Sequence, residues 1–503
     1  MGPEKLAGVL AFLGARAHED EAIQCYLAAP EQRAQIDRLV TIGRRQIDSF
    51  NPPEIASSLL GLAFLRRGEE RFAHLLLARG TGLLGDFEPS DAVTMLGAVR
   101  HVGGDVSCFL VQMRGYIAAR KNEFDSPTLA RAAKFLTQLQ QPLLAREIVA
   151  VAAQRIEDFE SRDLWRLAVA ASRLGEHGTE FIPVLAGEVT DRLMSRPDGI
   201  VGRDAITVLS LLGHQRLRDE PFLSAFAHEM APRLAACSPA ELREIAWSYA
   251  ALREFDERLL KQLGRIVACR VTEFETSDVA MIVQSFAVLN YRHDELLIAT
   301  AEHLDDRYET FSARQCAMIA WGFAPFDGRL SQRVIAQAGA AFPEAEAAGP
   351  AQRQMHIALV ASGQRPPGRC PAVVSEMAAR EAAGQRANDF ERSVAAALRA
   401  IDRPGLEIHS KMAIEGIVTD FVVINGDRRF VIECDGARFH LTSAGIYCGN
   451  DTLQDRVFAR CGFTVVHLLC HEFRHKSPRE LELCLCDKLG IGRLPNYPGS
   501  TEH

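Results

Sequence analysis

Sulfur and imidazole ligands stand closest together near the C-terminal end, where Cys470 and His471 are followed by His475. These are zinc-binding residue types, but no second ligand pair stands at the spacing a zinc site needs. The twelve cysteines (Cys25, Cys108, Cys237, Cys269, Cys316, Cys370, Cys434, Cys448, Cys461, Cys470, Cys484 and Cys486) are scattered, and none forms a CxxC pair. That spread fits reduced thiols rather than a zinc ribbon or a disulfide framework. Oxygen chemistry is the stronger candidate. Asp420, Glu433 and Asp435 lie in or beside strand-like segments. Carboxylates at adjacent strand ends repel each other unless a proton or a cation intervenes.

The segments that must position them follow a breaker run, Gln364–Arg365–Pro366–Pro367–Gly368. Phe390–Ile401 reads as a helix. Ile417–Ile424 and Phe430–Cys434 read as strands joined by an Asn425–Gly426–Asp427 hairpin turn. Leu453–Cys461 reads as a helix closed by Gly462, Phe463–Leu469 as a third strand, and Glu480–Leu489 as a last helix. The order predicts an α/β unit around a small sheet.

Most of the chain before that point is periodic. Phe50, Phe87, Phe124, Phe159, Ile200, Cys237, Phe274 and Phe311 are spaced by 37, 37, 35, 41, 37, 37 and 37 residues. Twelve positions after each stand Leu62, Val99, Leu136, Ala171, Leu212, Tyr249, Phe286 and Phe323. Asn51, Ser238 and Ser312 precede Glu54, Glu241 and Gln315 by three residues, the capping-box spacing. Pro52 and Pro239 suit the first helical turn, where a missing N–H costs nothing. A second amphipathic stretch, such as Glu257–Thr272, completes each unit. The expected fold is an α-solenoid of ~37-residue helix–turn–helix repeats, because neither helix of a unit can bury its apolar face alone. Trp247 and Trp321 occupy equivalent places and are expected to pack between repeats. The longer spacing predicts a loop insertion around Ser195–Gly199.

With 503 residues the chain exceeds one compact core. Apolar residues make up 48% and charged residues 24%, as in folded soluble proteins. No uninterrupted apolar run reaches the ~18 residues of a membrane span. Early acidic residues (Glu4, Glu19, Asp20, Glu21) argue against a secretory leader. The net charge is −8, and residues 371–503 hold 16 Lys+Arg against 18 Asp+Glu. Phosphate neutralisation supplies much of nucleic-acid affinity, so any RNA surface must be a local stripe.

Two resemblances join these observations. Units such as 238–263 and 274–297 resemble the octotricopeptide and heptatricopeptide repeats of organellar RNA-binding proteins. The run TDFVV (419–423), FVIECDGARFHL (430–441), LQDRVFARCGF (453–463) and TVVHL (464–468) resembles the RAP domain of the FAST kinase family and of organellar repeat proteins. That domain is similar in turn to restriction-endonuclease-like nucleases. The division implied is a helical cap at 1–49, repeats at 50–365, a linker and helix at 366–404, the RAP domain at 405–490 and a tail at 491–503.

The nuclease likeness gives Asp420, Glu433 and the Cys434 carbonyl as ligands for Mg²⁺, which would polarise a phosphate and activate water. The usual motif has lysine two residues after the Glu, where this chain has Asp435. No lysine lies between Lys411 and Lys476, so Arg438, His440 or Arg456 would have to substitute. The leading expectation is a mitochondrial RNA-binding protein in RNA processing or stability, or on rRNA in a mitoribosome, with plastid or cytoplasm as alternative locations. Arg438, His440, Arg456 and Arg460 would contact RNA, and no cofactor is required. The alternatives are a Mg²⁺-dependent endoribonuclease using Asp420, Glu433 and Asp435, and a scaffold in a ribonucleoprotein assembly making mostly protein contacts.

Overall fold

The computed structural model describes residues 1–67, 71–103, 105–178, 180–195, 202–305, 307–401 and 403–491. The chain divides into two compact units, residues 1–226 and 227–503. In the first, α1 (Pro3–Glu19), α2 (Glu21–Ala28) and α3 (Pro30–Arg45) precede helix pairs. These pairs are α4 (Pro52–Phe64) with α5 (Arg71–Gly82), α6 (Pro89–Val99) with α7 (Ser107–Arg120), and α8 (Ser126–Gln138) with α9 (Pro142–Ala153). Next come α10 (Ser161–Arg173) with α11 (Ile182–Ser195), and α12 (Gly202–Gln215) with α13 (Glu220–Met230). The first helices of successive pairs stack on one another. The expected insertion at Ser195–Gly199 falls almost wholly outside the described residues.

The repeat register read from the sequence is the packing register. Phe50, Phe87 and Phe124 are fully buried, Phe159 and Cys237 nearly so, and every member of the second column from Leu62 to Phe323 is buried. Ile200 lies outside the described residues. A short 3₁₀ turn precedes each described opener in the first unit, as at Ile47–Ser49 and Leu84–Asp86. All three expected capping boxes form, at Asn51/Glu54, Ser238/Glu241 and Ser312/Gln315. Each such cap stabilises its helix by about 1 kcal/mol relative to alanine.

A further column was not read from the sequence. Near the end of the second helix of a pair, an arginine donates to the carbonyl of the opener that began that pair. Arg79 Nε reaches Phe50 O at 3.0 Å, Arg120 reaches Phe87 O at 2.6 Å, Arg155 reaches Phe124 O, and Arg270 reaches Cys237 O at 2.9 Å.

The second unit continues with α14 (Pro239–Leu252) and α15 (Glu257–Cys269), α16 (Thr276–Val288) and α17 (Asp294–Leu304), and α18 (Ala313–Phe323) and α19 (Arg329–Ala340). Then follow α20 (Gly349–Ala361), α21 (Ala372–Gly384) and α22 (Asp389–Ala400). The mixed sheet holds β1 (Leu406–Ser410), β4 (Phe421–Asn425), β5 (Arg428–Asp435) and β6 (Thr464–Leu469) in the order β1-β4-β5-β6. β4 and β5 are antiparallel, and β6 runs parallel to β5. β2 (Ala413–Ile414) and β3 (Ile417–Val418) form a separate hairpin. Around β6 come α23 (Ala437–His440), α24 (Gly449–Arg460), α25 (Cys470–Phe473) and α26 (Pro478–Lys488).

Three boundaries differ from the sequence reading. The expected strand 417–424 is two strands, parted at Thr419–Asp420, where the chain leaves the β2–β3 hairpin for the main sheet; Glu415 and Gly416, both at positive φ, make the hairpin turn before it. β1 was not expected: it is an edge strand with little burial and so no clear alternation. The helix placed with the linker, α22, belongs to the α/β core. Its Val394, Ala397 and Leu398 pack with Phe421, Val423, Phe430, Ile432, Val466 and Leu468, and with Leu481 and Leu485 of α26. No helix among the described residues is long and apolar enough to cross a membrane.

Candidate functional site

Strand alternation decides which side chains meet. On β5, Phe430, Ile432 and Cys434 face the core under α22 and α26, so Val431, Glu433 and Asp435 face the other way. His467 on β6 is paired in register with Glu433 and also points to this second face, where Asp455 of α24 meets it.

The structure brings Asp420 and Glu433 together. Asp420 stands just before β4, and its Oδ2 accepts the Cys434 N–H at 2.8 Å. Its Oδ1 takes Lys411 Nζ at 2.6 Å, and the same ammonium lies 2.9 Å from Glu391 Oε2 on α22. Lys411 sits at φ +52°, and its backbone N–H donates to Asp420 O at 3.0 Å, so a bulge between β1 and β2 aims the side chain inward. A lysine from upstream in the chain thus stands between Asp420 and Glu391. Burial of the Glu433 carboxyl, then the charges of Asp420 and Asp435, push its pKa well above the usual carboxylate range, against His467 and Lys411. Glu433 Oε1 is buried with no hydrogen-bond partner.

Asp435 belongs to a different network. It is 1% exposed. Its Oδ2 takes His467 Nδ1 at 2.6 Å and Tyr447 OH at 3.3 Å, while Oδ1 lies 3.4 Å from His440 Nδ1. His440 Nδ1 also meets Asp451 Oδ1 at 2.7 Å. The other nitrogen of His467 meets Asp455 Oδ1 at 3.0 Å. Two carboxylates can only accept, so both ring nitrogens of His467 donate and the ring is an imidazolium. Burial alone would lower its pKa, but the hydrogen bonds it donates to Asp435 and Asp455, with their charges, raise it to about 10. His440 is raised too: burial opposes the Asp451 hydrogen bond and is outweighed.

Three of the four residues expected to contact RNA have partners within the chain. Arg456 NH1 donates to Ala324 O at 2.9 Å, and NH2 lies 3.1 Å from Asp327 Oδ2. Arg460 Nε donates to Ala361 O at 3.0 Å. Both hold α24 against the repeat helices of the same unit. Asn290 strengthens this seam by donating to Tyr447 O at 3.2 Å, and Ser443 N–H donates to Arg253 O at 2.9 Å. His440 belongs to the Asp435 network, and the Arg438 side chain lies outside the described residues. Sequence reasoning missed Lys411 and Glu391 as site residues. A signal existed for Glu391: it lies three residues before Val394 and seven before Leu398, on the apolar face of α22.

A hard divalent cation fits the oxygen chemistry of Asp420 and Glu433. The unpartnered Glu433 Oε1 is the atom that such an ion would satisfy, and the Lys411 ammonium is its competitor for Asp420. Cys470, His471 and His475, which the sequence spacing did not favour as ligands, join no cluster among the described residues. A third group, His356, Cys370 and Glu415, does converge. There Arg365 donates to His356 Nδ1 at 3.2 Å, which leaves the imidazole proton on Nε2, directed at Glu415 Oε2 2.8 Å away. Glu415 also accepts the Gly368 N–H. The group is a hydrogen-bonded latch tying α20, the breaker run and the β2–β3 turn together.

No protein-family model matches the chain, and no curated protein matches it.

Proposed function

We propose that the protein binds RNA through its helical repeats and that its C-terminal α/β unit is a restriction-endonuclease-like RAP domain. It would act in processing or stabilising organellar RNA, in the mitochondrion, or on rRNA as a mitoribosome component. The observation that carries this reading is the meeting of Asp420, before one strand, with Glu433 on the next, as the nuclease likeness requires. The domain binds rather than cuts in this reading. Both Asp420 oxygens already have partners in Lys411 and the Cys434 N–H, and Asp435 is clamped by His467.

A second reading, a Mg²⁺-dependent endoribonuclease, is favoured by the buried, unpartnered Glu433 Oε1. One experiment separates the readings: the full chain is titrated with labelled single-stranded RNA at about 50 and 200 mM salt, with and without Mg²⁺. The leading reading expects binding that weakens steeply with salt and RNA that stays intact. Mg²⁺-dependent cleavage abolished by Glu433→Ala, with binding retained, would select the nuclease. Binding indifferent to salt, or none, would overturn the RNA reading in favour of a protein scaffold.

A further inference from the structure

A cluster of positive charge stands out among the described residues of the first unit, on helices α6, α8 and α10. On α10 the exposed and half-buried positions Arg162, Trp165, Arg166 and Arg173 follow helical spacing and share one face. On the neighbouring helix α8, Arg131 and Lys134 occupy the corresponding face, and Arg100 closes α6 beside them. The partners these groups have are mostly neutral. Arg131 donates to Thr94 Oγ1 at 2.6 Å, Arg100 meets Gln138 and His101 and lies over the Phe135 ring, and Lys134 lies 5.4 Å over the Trp165 ring. Arg166 pairs with buried Asp163. Asp91 and Asp125 complete the acids that oppose Arg131.

The crowding has an electrostatic cost. Lys134 is lowered by burial and then by Arg166, Arg100, Arg173 and Arg162, and Arg100 is lowered by burial and then by Arg173. Like charges held this close on a folded surface are relieved by a polyanion. Trp165 is 37% exposed, while the other two tryptophans are half-buried between repeats. An exposed indole flanked by cations is a stacking platform for an unpaired base, which an acidic peptide would not use.

We propose that the face formed by α6, α8 and α10 binds single-stranded RNA, with Arg100, Arg131, Lys134, Arg162 and Arg173 on the phosphates and a base stacked on Trp165. This surface rests on the RNA-binding reading above and replaces Arg456 and Arg460 as its contacts.

The test uses the full chain and a fluorescein-labelled oligouridylate, read by anisotropy across a salt series. Lys134→Glu with Arg173→Glu is expected to weaken binding at least tenfold and to flatten the log–log salt slope by about 1.4, two phosphates' worth. A control of equal charge change on α21 and α22, Arg380→Glu with Arg399→Glu, is expected to leave both unchanged. RNA is expected to quench tryptophan fluorescence, and Trp165→Phe to remove that quenching while retaining most of the affinity. Trp165→Ala is expected to cost roughly tenfold. Wild-type binding that the α8/α10 variants leave intact overturns this surface and spares the RNA reading. Wild-type chain that binds no RNA, or that binds polyglutamate equally well at Trp165, overturns both. Arg173→Glu alone, at an exposed position, keeps the test decisive if the double variant folds poorly.

Discussion

Lys411 and Asp420 are joined twice: by a 2.6 Å ion pair between their side chains and by a 3.0 Å hydrogen bond from the Lys411 N–H to the Asp420 carbonyl. The backbone bond fixes where the ammonium goes, and the ammonium serves Glu391 as well. Removing it leaves Asp420 and Glu391 without the cation they share. Lys411→Met is expected to cost about 2–4 kcal/mol in urea unfolding at neutral pH. Adding Asp420→Asn to that variant is expected to restore part of the loss, and a cycle showing no coupling would contradict the pairing.

Glu433 holds its proton more tightly folded than unfolded, because burial and then Asp420 and Asp435 disfavour its charge. It therefore weakens the fold as pH rises above the ordinary carboxylate range of about 4.3. Glu433→Gln is expected to melt at or above the wild-type temperature at pH 7–8, with the gap closing toward pH 4. Under the nuclease reading, Mg²⁺ raises the melting temperature of the wild type and not of the variant. Melting curves with and without Mg²⁺ check both.

His467 titrates the other way. Its folded pKa of about 10 lies above the unfolded value near 6.5, so its contribution is complete below about pH 6.5 and disappears as pH rises through about 10. His467→Gln is expected to flatten the fall of stability between those limits. Denaturant midpoints measured from pH 6 to 10 show it. An unchanged pH slope would mean that the ring is not clamped between Asp435 and Asp455.

The seam between α24 and the repeat helices is tight at one point. A Cβ added at Gly449 would lie 1.9 Å from the Ala287 carbonyl oxygen, at the C-terminal end of α16. Gly449→Ala is expected to destabilise the second unit by about 1–3 kcal/mol, since backbone rather than a flexible side chain must give way. Arg456→Ala is expected to loosen the same seam, read as faster proteolysis near residues 441–449. Variants as resistant as wild type would contradict the packing.

The helical repeats were legible because their signals are local: an apolar opener, a cap three residues before its partner, and a buried column twelve residues on. Phe50, Asn51, Glu54 and Leu62 lie within about three and a half helical turns of one another in sequence. The arginine column was not legible, since Arg79 and Phe50 are 29 residues apart, at opposite ends of one repeat, and arginine at a helix end carries no distinctive pattern. In the α/β domain, the acids Asp420 and Glu433 were singled out through the resemblance to nucleases, on strand-like segments that the sequence made legible. Lys411 was not, because its role depends on a positive-φ bulge that ordinary propensities disfavour. Arg456 and Arg460 were read as solvent-facing contacts for phosphate. Helical spacing revealed that they share a face, but only the fold reveals that another helix covers it.

The arginines that return to the carbonyls of Phe50, Phe87, Phe124 and Cys237 span 29, 33, 31 and 33 residues. Each makes its repeat a closed loop whose contour can lengthen or shorten without shifting the next opener. Insertions inside such a loop bulge outward and leave the neighbours in step. A chain built this way can gain or lose residues between its buried columns, so length polymorphism would gather there.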